Sequence, residues 1–173
     1  MIRVVLQSSV DMELYLIRHG LAGQHGDYPD DDQRPLTPEG ERKTEQVAKR
    51  MRSLDLKFDL ILTSPLTRAK QTAKILQKAG LSDALETAGY LAPGGDIQNW
   101  HAWVESWRSP DKALALVGHE PDLSSWAELL IWGEVRDRFI LKKAGVIGLE
   151  LPESGSALSN SQLFWLTPPR LFL

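Results

Sequence analysis

Glu13-Leu14-Tyr15-Leu16-Ile17 runs straight into Arg18-His19-Gly20, so a short apolar stretch ends abruptly on two polar side chains and a glycine. A run of this length, rich in aliphatic and aromatic residues and closed by a breaker, reads as a buried strand. The design recurs. Asp59-Leu60-Ile61-Leu62-Thr63 stops at Ser64-Pro65, and Ala113-Leu114-Ala115-Leu116-Val117 stops at Gly118-His119. Between these strands the apolar residues change to helical spacing. Val47, Met51 and Leu54 follow an N-cap at Thr37 and a proline at the first helical position, Pro38, and that helix should run to about Ser53. Leu66, Ala69, Ala73 and Leu76 follow what reads as a cap at Ser64 with Pro65, and end at Gly80. Asp96 caps a stripe of Ile97, Trp100, Val104 and Trp107; Pro121 opens one of Leu123, Trp126, Ala127 and Leu130, stopped by Gly133. Leu85 to Gly95 reads as a loop. Val146–Leu151 and Gln162–Leu166 read as two further strands, paired antiparallel across a turn-rich link. Strand alternating with helix predicts an α/β fold, a layered domain with a mostly parallel central sheet.

A chain of 173 residues is the size of one domain and can bury roughly 70% of its unfolded surface. The 42% hydrophobic and 25% charged fractions are ordinary globular values. The sequence contains no cysteine, which excludes disulfides, thiolate metal sites and cysteine nucleophiles. With 20 basic and 23 acidic residues, a net charge of -3, no broad attraction to nucleic acid or anionic membrane is expected. No apolar run approaches the roughly 18 residues of a spanning helix. The opening Met1-Ile2-Arg3-Val4-Val5-Leu6 is too weakly apolar for a secretory signal, so a soluble cytoplasmic protein is expected. Met12 immediately precedes the first strand. Residues 1–11 are therefore expected to be an extension, poorly ordered or appended at an edge, with the domain spanning 12–173.

The polar residues gather where an open α/β sheet presents its ligand crevice, just after the strands. Arg18-His19 follows the first, Ser64 and Arg68 the second, His119 the third. Each has an ordinary reading taken alone: a hydrogen-bonded structural histidine, a solvated arginine. Arg68 even opposes the helix dipole, which favours anions at that end, unless it shares an anion with the helix N–H groups. Three such features at three strand ends argue for a common ligand. Arginine offers a rigid, permanently charged fork suited to phosphate oxygens, and cations beside a histidine keep its imidazole neutral and nucleophilic. Developing charge on a transferred phosphoryl group would meet preset donors. Elsewhere the signals are bland. His25 with Asp27, Asp30, Asp31 and Asp32 lacks the pattern of a calcium loop and reads as solvated, so no metal is expected. The tryptophan stripe reads as core rather than a ligand platform, and His101 as a surface or packing residue. Gly40 in a helix's first turn costs about 1 kcal/mol relative to alanine, which points to close backbone packing there.

Leu-Ile-Arg-His-Gly at 16–20, the Arg-Pro-Leu-Thr-x-x-Gly of 34–40, the Ser-Pro-Leu-x-Arg-Ala-x-Gln-Thr of 64–72 and Val-Gly-His-Glu-Pro-Asp-Leu at 117–123 together resemble the histidine phosphatase superfamily, nearest its small SixA-type phosphohistidine phosphatases. The resemblance runs from about Met12 to the C-terminus. It implies a phosphoglycerate-mutase-like three-layer α/β/α sandwich, no metal or other cofactor, and phosphoryl transfer through a covalent phosphohistidine. Carried over by position, His19 is the nucleophile. Arg18, Arg68 and a protonated His119 hold the phosphoryl oxygens, Arg34 adds a further phosphate contact, and Gly20 and Ser64 complete the substrate-binding set. Larger relatives draw a carboxylic acid from the loop corresponding to Thr87–Asp96; here Asp96 reads as a helix cap, and Glu86 and Glu120 are the fallback acids. A missing acid suits a labile P–N bond. No insertion long enough to form a lid separates the motifs, so a shallow, open site is expected, reachable by a phosphorylated protein of the HPt signalling type. Lys142 and Lys143 read as an exposed strand lead-in or as a basic docking rim. The chain is expected to act as a monomer. A mutase or small-molecule phosphatase of the same superfamily, and a non-catalytic phosphate-recognition module, are the competing readings.

Overall fold

The computed structural model describes residues 11–173, so all of the expected extension except Asp11 lies outside the described residues. Six strands form one sheet: β1 (Met12–Arg18), β2 (Leu60–Thr63), β3 (Leu85–Thr87), β4 (Ala113–Gly118), β5 (Val146–Leu151) and β6 (Gln162–Thr167), in the order β3-β2-β4-β1-β5-β6. The first four are parallel; β5 runs antiparallel to β1, and β6 antiparallel to β5. The helices are α1 (Pro38–Ser53), α2 (Thr67–Lys78), α3 (Ile97–Trp107) and α4 (Asp122–Trp132).

Alternation along the strands splits the core in two. Leu14, Leu16, Leu60, Leu62, Leu114 and Leu116 pack with Trp100, Val104, Trp126 and Leu130 of α3 and α4. Tyr15, Ile17, Ile61, Ala115 and Val117 pack with Val47, Met51, Ala69, Ala73 and Leu76 of α1 and α2. The result is the expected three-layer sandwich. Strands covered on both faces must be apolar throughout, which is why β4 is buried at every position. The tryptophan stripe is core: Trp100 is fully buried, 6.0 Å from Trp126 between ring centroids.

Three local readings change. Leu85–Thr87 is a short edge strand rather than loop, and three residues, of which only Leu85 is partly buried, carry too little periodicity to show it. The helix after Ser64 starts later, at Thr67, with Leu66 at the cap position; the Ser64 hydroxyl, two residues ahead of it, accepts from the Leu66 N–H at 3.3 Å and meets His119 Nε2 at 2.7 Å. His25 is exposed but not merely solvated, since it pairs with Asp31 at 2.9 Å. By contrast α1 begins as expected, with Thr37 Oγ1 accepting from the Gly40 N–H at 3.0 Å.

Gly40 is where the loop after β1 crosses the first turn of α1. A Cβ there would stand 1.9 Å from the Leu21 carbonyl oxygen, a backbone atom that cannot swing away. Alanine would gain about 1 kcal/mol of helix propensity, but overpacking a fixed contact costs about 1–3 kcal/mol and here lies at the upper end. Gly40→Ala is therefore expected to lower the melting temperature, by roughly 4–8 °C for a net loss near 2 kcal/mol in a domain of this size. A melting curve at or above that of the unsubstituted protein would show that the loop yields.

Candidate active site

Strand order does most of the assembly. β2, β4 and β1 are consecutive in the sheet, so their C-terminal ends stand side by side at strand spacing although they are far apart in sequence. Backbone bonds carry the pairing past the strand ends: the His19 N–H donates to Gly118 O at 3.1 Å and the Ser64 N–H to Val117 O at 2.9 Å. The His19 and His119 rings come to 5.1 Å between centroids. Both are 3% exposed and Arg68 is 4% exposed. The open, shallow arrangement expected from the chain's economy is thus not what these side chains show, because the 21–36 loop is fastened over Arg68. Arg68 donates to the Asp31 carbonyl at 2.9 Å and stands 3.3 Å from its carboxylate.

His19 is oriented by its own neighbour. Its Nδ1 lies 2.7 Å from the Gly20 carbonyl, which can only accept, so Nδ1 carries the proton and Nε2 carries a lone pair. The nearest polar partner of that lone pair is Lys143 Nζ, at 3.4 Å. Burial, then Lys143, His119 and Arg68, hold the His19 imidazole neutral by pushing its pKa down to about 2, against the opposing Gly20 bond. His119 Nε2 meets Ser64 Oγ at 2.7 Å. It too is pushed down, to about 3, by burial first and then by Arg68, Lys143 and Arg34, with Asp31 opposing. The surrounding cations thus act on both rings alike, and the protonated His119 expected beside a phosphoryl group would draw its proton from that group's own charge.

The arginines converge, each with part of its donor set engaged. Arg18 donates to the Leu141 carbonyl at 2.8 Å, Arg34 to Asp31 at 2.8 Å and to the Gly23 carbonyl at 2.8 Å. Asp31 therefore bridges Arg34 and Arg68, and those bonds, with His25, hold its carboxyl far below the usual range. Arg18 Nε, Arg68 Nε and His119 Nδ1 are buried with no hydrogen-bond partner; the fourth such atom among the described residues is Trp100 Nε1 in the core. Buried donors of this kind are rare in folded proteins, and three in one place mark a site shaped for something other than its own side chains. Gly20 is placed differently from the sequence-based expectation. Its N–H is already donated to Thr72 Oγ1 at 3.0 Å, so it serves the site by orienting His19 and offers no donor of its own. Neither fallback acid has an acid's surroundings. Ser124 takes both Glu120 oxygens, at 3.0 and 2.6 Å, Glu86 is exposed on β3, and Asp96 caps α3.

Two residues of the cluster escaped the motif reading. Lys143 looked like a strand lead-in, and Asp31 like one of several solvated aspartates. Nothing local in the sequence distinguishes either.

An α/β fold with arginines and histidines gathered at its strand ends suits a tetrahedral oxyanion, and likeness to known proteins narrows the class. The chain belongs to the histidine phosphatase superfamily (branch 1), whose family profile matches residues 14–89. It is 47% identical over 167 residues to an uncharacterized protein of Picosynechococcus sp., covering 94% of this chain and 99% of that one. A 93-residue stretch, 50% of this chain, is 33% identical to the mitochondrial serine/threonine-protein phosphatase PGAM5 of Xenopus tropicalis but spans only 33% of that longer protein. In fold the chain is similar to the protein histidine phosphatase SixA complexed with tungstate, with a TM-score of 0.80 at 23% identity over 94% of this chain and 100% of that one.

Two histidines held neutral in the fold have a consequence for stability. Between pH 6.5 and their depressed values of about 2 and about 3, the unfolded chain binds protons that the folded chain refuses, so stability falls as pH falls. From pH 7 to pH 5 each ring should remove about 2 kcal/mol, at about 1.4 kcal/mol per pH unit once the unfolded imidazole is protonated. Urea unfolding at the two pH values should show this loss, and His119→Gln should roughly halve it. A slope unchanged by the substitution would mean that His119 titrates normally in the folded state.

Proposed function

We propose that this protein is a phosphohistidine phosphatase, taking phosphate from a histidine-phosphorylated signalling protein of the HPt type through a covalent phosphohistidine at His19. The observation that carries the reading is the 2.7 Å bond from His19 Nδ1–H to the Gly20 carbonyl, which leaves Nε2 unprotonated among the Lys143 ammonium, the Arg68 guanidinium and a second imidazole. In the first step the Nε2 lone pair forms the bond to phosphorus while the bond to the leaving nitrogen breaks, its electron pair staying on that nitrogen. A phosphoimidazole protonated on its other ring nitrogen then departs as neutral imidazole. His19 keeps its Nδ1 proton on Gly20, so it becomes a phosphoimidazolium of the same kind. In the second step a water oxygen bonds to phosphorus, the Nε2–P pair returns to His19, and phosphate leaves with the water's protons shared between itself and solvent. Arg18, Arg68 and Arg34 hold the phosphoryl oxygens, and His119 offers Nδ1 to one of them, with the Ser64 hydroxyl setting its orientation.

The exchange is between like groups and asks for no external acid. That suits this site. Glu120 and Asp96 are committed to helix N-termini, and Asp31 is kept ionised by its arginines and His25. The likeness in fold to a protein histidine phosphatase supports a protein substrate. On this reading the protein works without a cofactor, as a monomer in the cytoplasm; among the described residues no helix is long and apolar enough to cross a membrane. The partial match to a serine/threonine phosphatase supports a second reading, a phosphoester substrate whose alkoxide would have to leave without an evident acid.

A panel of phosphohistidine, phosphoaspartate, phosphoserine and sugar-phosphate substrates separates the two. Phosphohistidine protein should be turned over faster than the esters by roughly a hundredfold or more, the cost of expelling an alkoxide without a proton donor. His19→Ala should abolish turnover and the acid-labile phosphate trapped on the protein. Arg68→Ala should cost roughly a hundredfold in rate, as does loss of one preorganised donor. Preference for phosphoserine, or turnover by His19→Ala, overturns the reading.

A further inference from the structure

Lys143 lies outside every strand-end motif, yet its Nζ stands 3.4 Å from the atom that the proposed chemistry uses as nucleophile. The placement is built into the backbone. The Ala144 N–H donates to the carbonyls of Arg18 and His19 at 3.0 and 3.2 Å, and the Arg18 N–H returns to Gly145 O at 3.2 Å. Ala144 takes the left-handed conformation, φ 57°, and the Gly145 N–H closes the turn on Lys142 O at 2.8 Å. Upstream, the buried Glu128 carboxylate collects the backbone N–H groups of Arg136, Asp137, Arg138 and Phe139, ordering the approach to this turn. The segment is thus fastened to the strand end that carries His19, and Lys143 lacks the freedom of a surface lysine.

Such a position is expensive for a cation. Arg18, Arg34 and Arg68 all repel it, His19 and His119 face it as neutral rings, and the Asp31 carboxylate attracts it. A structural lysine would sit beside a free carboxylate; this one sits beside a lone pair, in a ring of guanidinium groups. The arrangement is favourable once a doubly charged group enters among them.

Resting on the phosphoryl-transfer reading above, we propose that Lys143 is a catalytic residue of this site: its ammonium holds the His19 Nε2 lone pair in the resting protein and passes to a phosphoryl oxygen as phosphorus takes its place. The geometry separates this role from that of a leaving-group acid. In an in-line transfer the leaving atom stands across phosphorus from Nε2, whereas Lys143 is held 3.4 Å from Nε2, nearer the attacking atom than the leaving one. Nε2 supplies the electron pair of the new bond, the leaving atom takes the pair of the old one, and Lys143 keeps its three protons throughout. Its charge is conditional. Burial, then the three arginines, push the ammonium down to about 8, so kcat/KM should fall as pH rises through that value. Of the groups that face it, the two imidazoles and Asp31 titrate far lower, and the arginines stay charged.

The test uses the full chain, a phosphohistidine protein as substrate and tungstate as an inert tetrahedral oxyanion. Lys143→Ala should lower kcat/KM roughly a hundredfold and weaken tungstate binding, read by calorimetry, about tenfold or more. Lys143→Arg should retain more activity than Lys143→Ala and lose the alkaline limb near pH 8, since a guanidinium does not titrate there. Lys143→Ala within threefold of the unsubstituted protein in both measurements, or an alkaline limb that persists in Lys143→Arg, overturns the proposal. His19→Ala keeps the two claims apart: if it is inactive while Lys143→Ala is not, only the role of Lys143 falls, and if it turns over substrate the nucleophile assignment falls first.

Discussion

Everything at this site depends on the parallel pairing of β1 with β4 and of β4 with β2. Arg18 registers with Gly118 and Thr63 with Val117, so residues more than 50 positions apart in sequence finish their strands on one line. A one-residue slip in either pairing would exchange inward and outward side chains along a whole strand and carry leucines out of one core into the other. The buried leucines on the α3/α4 face and the Tyr15, Ile17, Ile61 and Val117 set on the α1/α2 face forbid that slip. The core therefore fixes the register, and the register fixes the distance between His19 and His119.

The second constraint is electrostatic. The chain as a whole carries a net charge of -3, yet three arginines and Lys143 face one another at the strand ends with Asp31 as counter-ion. Like charges gathered in a buried place cost stability unless something offsets them. The fold supplies part of the compensation from its backbone: the carbonyls of Gly23, Asp31 and Leu141 each accept from one of the guanidinium groups. These carbonyls leave the net positive charge intact while fixing where each fork points, which is the preorganisation that makes such donors effective.

Legibility in the sequence followed range. The strands β1, β2, β4, β5 and β6 and the helices α1, α3 and α4 were readable because their signals, an apolar run bounded by breakers or turn residues or a stripe with a cap and a stop, are local. The strand-end residues His19, His119, Arg18 and Arg68 followed, since a short polar motif after a buried strand has one place to go in an open sheet. What could not be read is set by contacts across the fold. Lys143 reaches His19 only because Ala144 turns left-handed and bonds back to the end of β1. Asp30 and Asp31 are chemically identical neighbours, but a 3-10 turn at Asp31–Gln33 has Asp30 cap its start and aims Asp31 at Arg34 and Arg68. Ser64 read as a cap because a serine before a proline commonly is one; its hydroxyl does accept from the Leu66 N–H, but a histidine from 55 residues away shares it, which no local pattern shows.

Asp31 also bears on what the cup can select. Its carboxylate already occupies donors of Arg34 and Arg68, so any anion that enters must offer those arginines more than a single negative charge. A carboxylate ligand would merely trade places with it. A phosphoryl group carries two charges and three oxygens, and so can take up the buried Arg18, Arg68 and His119 nitrogens that Asp31 leaves unpaired. On the proposed reading it also meets the Lys143 ammonium. On the phosphoryl-transfer reading the internal anion acts as a threshold: it lowers the cost of the assembled cations in the resting protein, and it reserves their full strength for a tetrahedral dianion.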